Sequence, residues 1–313
     1  MTLQMKNHTG FDLEMKDADQ SDISMLRDYF DRYPSMCDDF TVGGILMWKE
    51  YFKYQIARVE DTLIIKGGWP ECGTPLFYEP RGPMSMDRYR GIIAEYCLYH
   101  GCEALLMLPV ETMPQKESLP EELDGEKLYV DWTEYLYDID SFITFSGKKM
   151  EKKRNHLNYF RNNFTGYEVE EISSGIAAEL IEFVRRFSDR HSDNRLAVYE
   201  SRKVIDILRD YDRYPFLGVA IRYEGRILGF SFGEKGGDSF VIHAEKGDID
   251  YRGIYQAVAS AMARVAKEHY PELRYLNRED DMGIETLRKS KLSYHPTLHI
   301  SKKIIRIGEK SEV

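Results

Sequence analysis

The run Asn277-Arg278-Glu279-Asp280-Asp281 sets three carboxylates beside a guanidinium. It follows a short alternating run, Leu273 to Asn277, and precedes a helical stretch, which is a usual place for binding groups in α/β layers. Together with Tyr294, these five residues form a candidate substrate-binding set suited to a substrate amine. The same acids are equally suited to capping the helix that begins at Gly283. His243 and Glu245 stand at the end of a predicted strand, Asp238–Ala244. Either is a candidate base for an amine or hydroxyl acceptor, as is Glu234 at the end of a hairpin. Lys291 is the candidate partner of an oxyanion or phosphate. No metal-ligand spacing, Gly-x-Ser-x-Gly or P-loop occurs, and no metal is expected.

A second set is electrostatic. Lys148, Lys149, Lys152, Lys153 and Arg154 place five cations within seven residues. With a helix starting at Ser146, Lys148/Lys152 and Lys149/Lys153 would stack into a stripe. The stripe suits a phosphate or RNA backbone, and equally a solvated helix face. Residues 1–145 carry 13 Lys+Arg against 27 Asp+Glu, a net −14, whereas residues 146–313 carry 30 against 26, a net +4. Only the second half can accept a polyanion locally.

The elements that must position these residues follow from periodicity. Phe216 to Phe232 reads as a hairpin turning at Glu224-Gly225. A strand at Asp238–Ala244 follows, then the turn GDIDYRG, a helix from Ile254 to His269, the strand LRYLN, a helix at IETLRKSKL and one or two closing strands. The first half repeats the order. A hairpin turns at Glu60-Asp61, Thr74–Tyr78 is a strand, a helix ends at Gly101, and Ala104–Leu108 is a strand. Helices are also expected at Ser21–Tyr33, Phe40–Trp48, Ala177–Arg190 and Arg202–Arg213. This order is that of the GNAT acyltransferase domain, in which two central strands splay around the acyl donor. The expected architecture is α/β (α+β): a GNAT-like domain over 1–145, a basic linking helix over 146–165 and a second GNAT-like domain over 166–313. The loop from Glu111 to Gly125 is an excursion from the first.

At 313 residues, 42% hydrophobic and 13% aromatic, the chain supports two folded cores. It has no apolar run near the ~18 residues that span a bilayer and no signal-peptide pattern, so a cytoplasmic location is expected. Cys37, Cys72, Cys97 and Cys102 form no Cys-x-x-Cys pair and are expected to be reduced.

The segments WTEYLYDIDSFITFSGKKMEKKRNHLNYF and LNREDDMGIETLRKSKLSYHP resemble the bacterial family that includes the C-terminal domain of phosphatidylglycerol lysyltransferase. The resemblance runs from about Tyr54 to Lys303. It implies two tandem GNAT-like domains, related in fold to the Fem-type transferases that use aminoacyl-tRNA, and transfer of an acyl or aminoacyl group to an amine or hydroxyl. It does not identify the acceptor, which stays open between a small molecule, a peptide and a lipid; the membrane-embedded N-terminal region of the lysyltransferases is not found in this sequence, which weighs against the lipid.

The glycine turn bears on acetyl-CoA as a donor. Acetyl-CoA sites of this fold present Arg/Gln-x-x-Gly-x-Gly/Ala at a helix N-terminus to cradle pyrophosphate. Here the turn is Asp250-Tyr251-Arg252-Gly253-Ile254-Tyr255. Asp250 repels a pyrophosphate and Tyr255 crowds it, while Arg252 and Gly253 remain candidate phosphate contacts. The donor substrate that the resemblance implies is aminoacyl-tRNA, with no bound cofactor and tRNA as partner. Acyl-CoA-dependent N-acetylation and a non-enzymatic RNA- or peptide-binding module are the alternatives.

Overall fold

The structure is a computed structural model that describes residues 13–69, 72–113, 121–123 and 126–308. Lys16–Asp17 (β1) is a short edge strand. Ile23–Arg32 (α1) and Val42–Phe52 (α2) are helices, the second capped by the Thr41 side chain. Gln55–Val59 (β2) and Thr62–Gly68 (β3) form the expected hairpin, with Glu60 and Asp61 both at positive φ, the conformation that matches the twist of a two-residue turn. Pro75–Tyr78 (β4), Met86–His100 (α3) and Ala104–Thr112 (β5) follow. Of the expected excursion, residues 114–120 and 124–125 lie outside the described residues, as do residues 1–12. Glu122–Leu123 (β6) pairs with the start of Glu126–Asp138 (β7).

Ile139–Thr144 (α4) leads to Glu151–Asn163 (α5). The basic helix begins at Glu151 rather than Ser146, because Gly147 turns the chain at φ 86 and Met150 is the N-cap. Lys148 and Lys149 lie in the preceding turn and do not stack on Lys152 and Lys153. Glu168–Glu171 (β8), Ala177–Arg190 (α6) and Arg195–Arg209 (α7) come next. The start of α7 lies seven residues ahead of the expected Arg202, since Asn194 Oδ1 accepts from Leu196 and Ala197 and caps it. Leu217–Tyr223 (β9) and Arg226–Gly236 (β10) turn at Glu224-Gly225, again with two positive φ values. Ser239–Gly247 (β11), Ile254–His269 (α8), Tyr275–Asn277 (β12), Glu285–Leu292 (α9) and a single closing strand, Leu298–Ile307 (β13), complete the order.

One continuous sheet runs β1-β2-β3-β4-β5-β13-β7-β12-β11-β10-β9-β8. It contains two short parallel pairs, β4 with β5 and β11 with β12, each three residues long. Beyond Val241 and Asn277 the second pair parts, β11 continuing as a strand while the chain after β12 turns away. The last strand, β13, lies between β5 and β7, pairing with β5 from His299↔Thr112 to Ile307↔Ala104. The first half therefore receives its closing strand from the end of the chain. The helix α8 packs on β9, β10 and β11 with Val258, Met262 and Ala266 buried among aromatic side chains of α4 and α5. Both helices and strands thus present buried apolar faces to the sheet, the arrangement that hydrophobic burial favours.

Candidate functional site

Where β11 and β12 part, a cavity of ≈ 570 Å³ opens between the two halves of the chain. Ile242 to Lys246 of β11 form one wall, Arg278 to Asp280 and α9 another, and Trp48, Phe52 and Tyr54 of the first half a third. Of the residues expected from the sequence, His243, Glu245, Lys291, Lys153, Arg278, Glu279, Asp280 and Tyr294 all line this cavity. The fold brings together residues drawn from three separate segments.

Their roles differ from what residue type alone suggests. His243 is buried and clamped at both ring nitrogens, Nε2 to Glu234 at 2.9 Å and Nδ1 to Glu279 at 2.8 Å. Burial pushes the imidazole down, but the two carboxylates outweigh it and hold the group at about 9. An imidazolium with both nitrogens donating is no base toward an acceptor. Glu234 in turn accepts from Val42 N at 3.2 Å and Gly43 N at 2.6 Å, a carboxylate on the N-terminus of α2. A Cβ on Gly43 would lie 2.3 Å from the His243 ring, so only glycine lets that ring sit on the helix start. His243 therefore ties α2 to the loop after β12. Because its folded value is above the unfolded 6.5, its contribution is complete below pH 6.5 and lost as pH rises through about 9. The urea midpoint is expected to fall between those limits, and His243→Gln to flatten that fall.

Lys291 likewise departs from its expected role as partner of an oxyanion or phosphate. Its ammonium donates to the carbonyls of Arg278, Glu279 and Asp280, which satisfies all three of its protons. It shapes the loop and offers nothing to an oxyanion. Asp281 is likewise structural, accepting from Tyr135, Arg288 and Gly283 N. Asn277 is buried and donates to Glu134 at 2.6 Å and to Met36 O at 2.8 Å.

Three groups in the cavity keep chemical capacity. Glu245 Oε1 accepts from Arg278 at 2.6 Å, while its Oε2 is buried with no hydrogen-bond partner. The Glu245 side chain is 9% exposed, so that oxygen has little water to compensate it. Asp280 accepts from Met282 N, and burial pushes its carboxyl up to about 7, the range of a working general base. Lys153 Nζ stands 3.6 Å over the Tyr294 ring and donates to Ser293 Oγ at 2.8 Å.

The remaining candidates lie elsewhere. Lys148, Lys149 and Lys152 are exposed, and Arg154 donates to the carbonyls of Phe145 and Gly147, closing the turn before α5. Arg252 stacks on Tyr159. Gly253 has φ 92, and a Cβ there would meet His156 O at 2.2 Å and Phe160 at 3.0 Å. The helix α5 thus crosses the N-terminal turn of α8, on the ground a pyrophosphate would need.

Sequence reasoning missed one cluster altogether. Lys302 of β13 is buried among Glu134, Asp39 and Cys37, the last two at 2.6 and 2.7 Å, with Asp38 at 3.5 Å. The ligand atoms of Cys37, Asp38, Asp39 and Glu134 lie within 4.8 Å of one another, and the cation among them is this ammonium. Burial pushes Lys302 down, yet the acids outweigh it and hold it well above its ordinary value. Burial, Glu134 and Asp39 push Asp38 up. Tyr54 and Tyr78, hydrogen-bonded to each other at 3.1 Å, stand beside it and line the same cavity. The adjacent Gly43-Gly44 pair, unfavourable in a helix by about 1 kcal/mol per residue, was the available signal of a close approach here.

Two short parallel strand pairs, one in each half, a mixed sheet flanked by helices and a cavity where β11 and β12 part define a tandem GNAT-like α/β protein. The chain belongs to the family described as phosphatidylglycerol lysyltransferase, C-terminal, whose profile matches residues 30–304. A conserved protein of unknown function from Bacteroides thetaiotaomicron superposes with TM-score 0.78 at 22% identity, covering 95% of this chain and 100% of that one. The C-terminal domain of a putative lysylphosphatidylglycerol synthetase from Agrobacterium fabrum gives 0.58 at 13% identity over 91% and 90%. FemX gives 0.54 at 9% identity over 92% and 96%, which places the fold with the Fem-type proteins. A curated relative, an uncharacterized protein of Mycoplasmoides gallisepticum, is 27% identical over 197 residues, and the match spans 61% of that protein's length. Among the described residues no helix is long and apolar enough to cross a membrane.

Proposed function

We propose that this protein transfers an aminoacyl group from aminoacyl-tRNA to an amine or hydroxyl acceptor in the cavity between its halves. The observation that carries the reading is the buried, unpartnered Glu245 Oε2. An acetyl group has no charge for such an oxygen to meet, whereas an aminoacyl group brings an ammonium. The carboxylate and the substrate cation then form a charge-assisted hydrogen bond away from bulk water. Arg278 holds the other oxygen and fixes the orientation. Asp280 takes the proton of the attacking acceptor.

Two further features support this donor. The crossing of α8 by α5 stands against a CoA pyrophosphate at the usual helix N-terminus. The exposed Lys148, Lys149 and Lys152 adjoin Lys153 at the cavity wall and suit an RNA backbone approaching it. Filter binding of the protein to charged and uncharged bulk tRNA over a salt series tests the reading. Saturable binding that prefers charged tRNA and weakens steeply with salt is expected. Equal binding of both forms fits an RNA-binding module instead. No binding at low salt, with a thermal shift on adding acetyl-CoA, would overturn the proposal in favour of N-acetylation.

A further inference from the structure

Five cationic side chains other than histidine line the cavity, and four are already committed. Lys246 pairs with Glu200 at 3.0 Å, Arg278 with Glu245 at 2.6 Å, Lys302 with its acidic cluster, and Lys291 with three backbone carbonyls. Lys153 differs. Among the described residues no carboxylate pairs with it, and its contacts are a neutral hydroxyl and the face of a tyrosine. The residue is half-buried on α5, whose neighbouring lysines point into solvent. An ammonium held at a cavity wall without a counter-ion is positioned for negative charge that arrives with, or develops on, the substrate.

We propose that Lys153 is the general acid of the transfer, protonating the ribose oxygen as it leaves; this role rests on the aminoacyl-tRNA reading above. The acceptor nitrogen or oxygen forms a bond to the ester carbonyl carbon while its proton passes to Asp280. The bond between that carbon and the ribose oxygen then breaks, and the oxygen takes a proton from Lys153 Nζ. Exchange with solvent returns a proton to Lys153 and removes one from Asp280.

The electrostatic surroundings suit the task. Burial first, then Arg278 from the loop after β12 and Lys152 on its own helix, lower Lys153 to about 8. Tyr294 and Ser293 are its polar neighbours after α9. A proton held near the working pH is given up more readily than that of a solvated lysine.

The test separates acid catalysis from simple phosphate binding. Protein-dependent cleavage of charged bulk tRNA, with ethanolamine as added amine, is compared for wild type, Lys153→Arg and Lys153→Ala. An amino acid p-nitrophenyl ester, whose phenolate leaves without taking a proton, serves as second donor. Lys153→Arg is expected to keep KM for charged tRNA within about threefold and to lose about 100-fold in kcat, together with the alkaline limb near pH 8. Both variants are expected to cleave the activated ester at the wild-type rate. A Lys153→Arg enzyme with unchanged kcat, or one whose loss lies wholly in KM, overturns the role while leaving aminoacyl transfer standing. Absence of wild-type cleavage of either ester sinks the transfer reading and this role with it.

Discussion

Glu245→Gln is expected to erase the preference for charged over uncharged tRNA and to slow aminoacyl release about 100-fold, with the melting temperature near that of wild type. The magnitude is that of losing the charged partner in a buried ion pair, about 2–5 kcal/mol, taken at the lower end because the amide still accepts a hydrogen bond. Stability is preserved for a structural reason. The Gln carbonyl can replace Glu245 Oε1 toward Arg278, at present 2.6 Å away. Glu245→Ala is the contrasting variant. It leaves the Arg278 guanidinium buried beside Phe142 and Tyr294 without its acid, and a penalty of about 3–5 kcal/mol is expected in urea unfolding. A Gln variant that discriminates charged from uncharged tRNA as well as wild type does would remove Glu245 from the site.

The second large effect is one of stability. Lys302→Met is expected to cost about 3–5 kcal/mol at pH 7, because it strips the cation from Glu134, Asp39 and Asp38 in a buried setting. With Lys302 present, Glu134 is held below its ordinary range despite burial. Without it, burial and mutual repulsion raise Glu134 and Asp38, so folding takes up protons and the variant regains stability as pH falls toward 5. Urea midpoints of both proteins at pH 5 and pH 7 measure this directly. A gap under about 1 kcal/mol at pH 7, or one that widens on acidification, contradicts the assignment. The same cluster joins β13 and β7 to the segment before α2, so the effect also reports on the cavity's first-half wall.

Local signals carried much of this structure. Glu224-Gly225 and Glu60-Asp61 mark their turns because the backbone there requires two positive φ values, and the spacing of Ile254, Val258, Met262 and Val265 fixes α8. The motif around Asn277 to Asp281 stands at the splay, as strand-end position suggests. What the sequence hid was partnership at long range. Lys302 and Cys37 are 265 residues apart in the chain, and no periodicity relates them. Lys291 looked free because the carbonyls it binds are backbone groups with no signature in residue type. His243 looked like a base because Glu234 and Gly43, which hold it, lie on a different strand and a different helix. The α5 start was displaced by one glycine, Gly147, inside an otherwise helical pattern. The unpaired oxygen of Glu245 is a property of the assembled cavity alone.

The central claim is that Glu245 receives the free ammonium of an aminoacyl donor. The most direct measurement compares equilibrium binding of bulk aminoacyl-tRNA with the same tRNA after chemical N-acetylation, at one salt concentration, for wild type and Glu245→Gln. Acetylation removes the cation and leaves the RNA unchanged. The account predicts that wild type binds the free amine at least about tenfold more tightly, roughly 1.4 kcal/mol, and that Glu245→Gln binds both forms alike. Equal affinity of wild type for the two forms would contradict it.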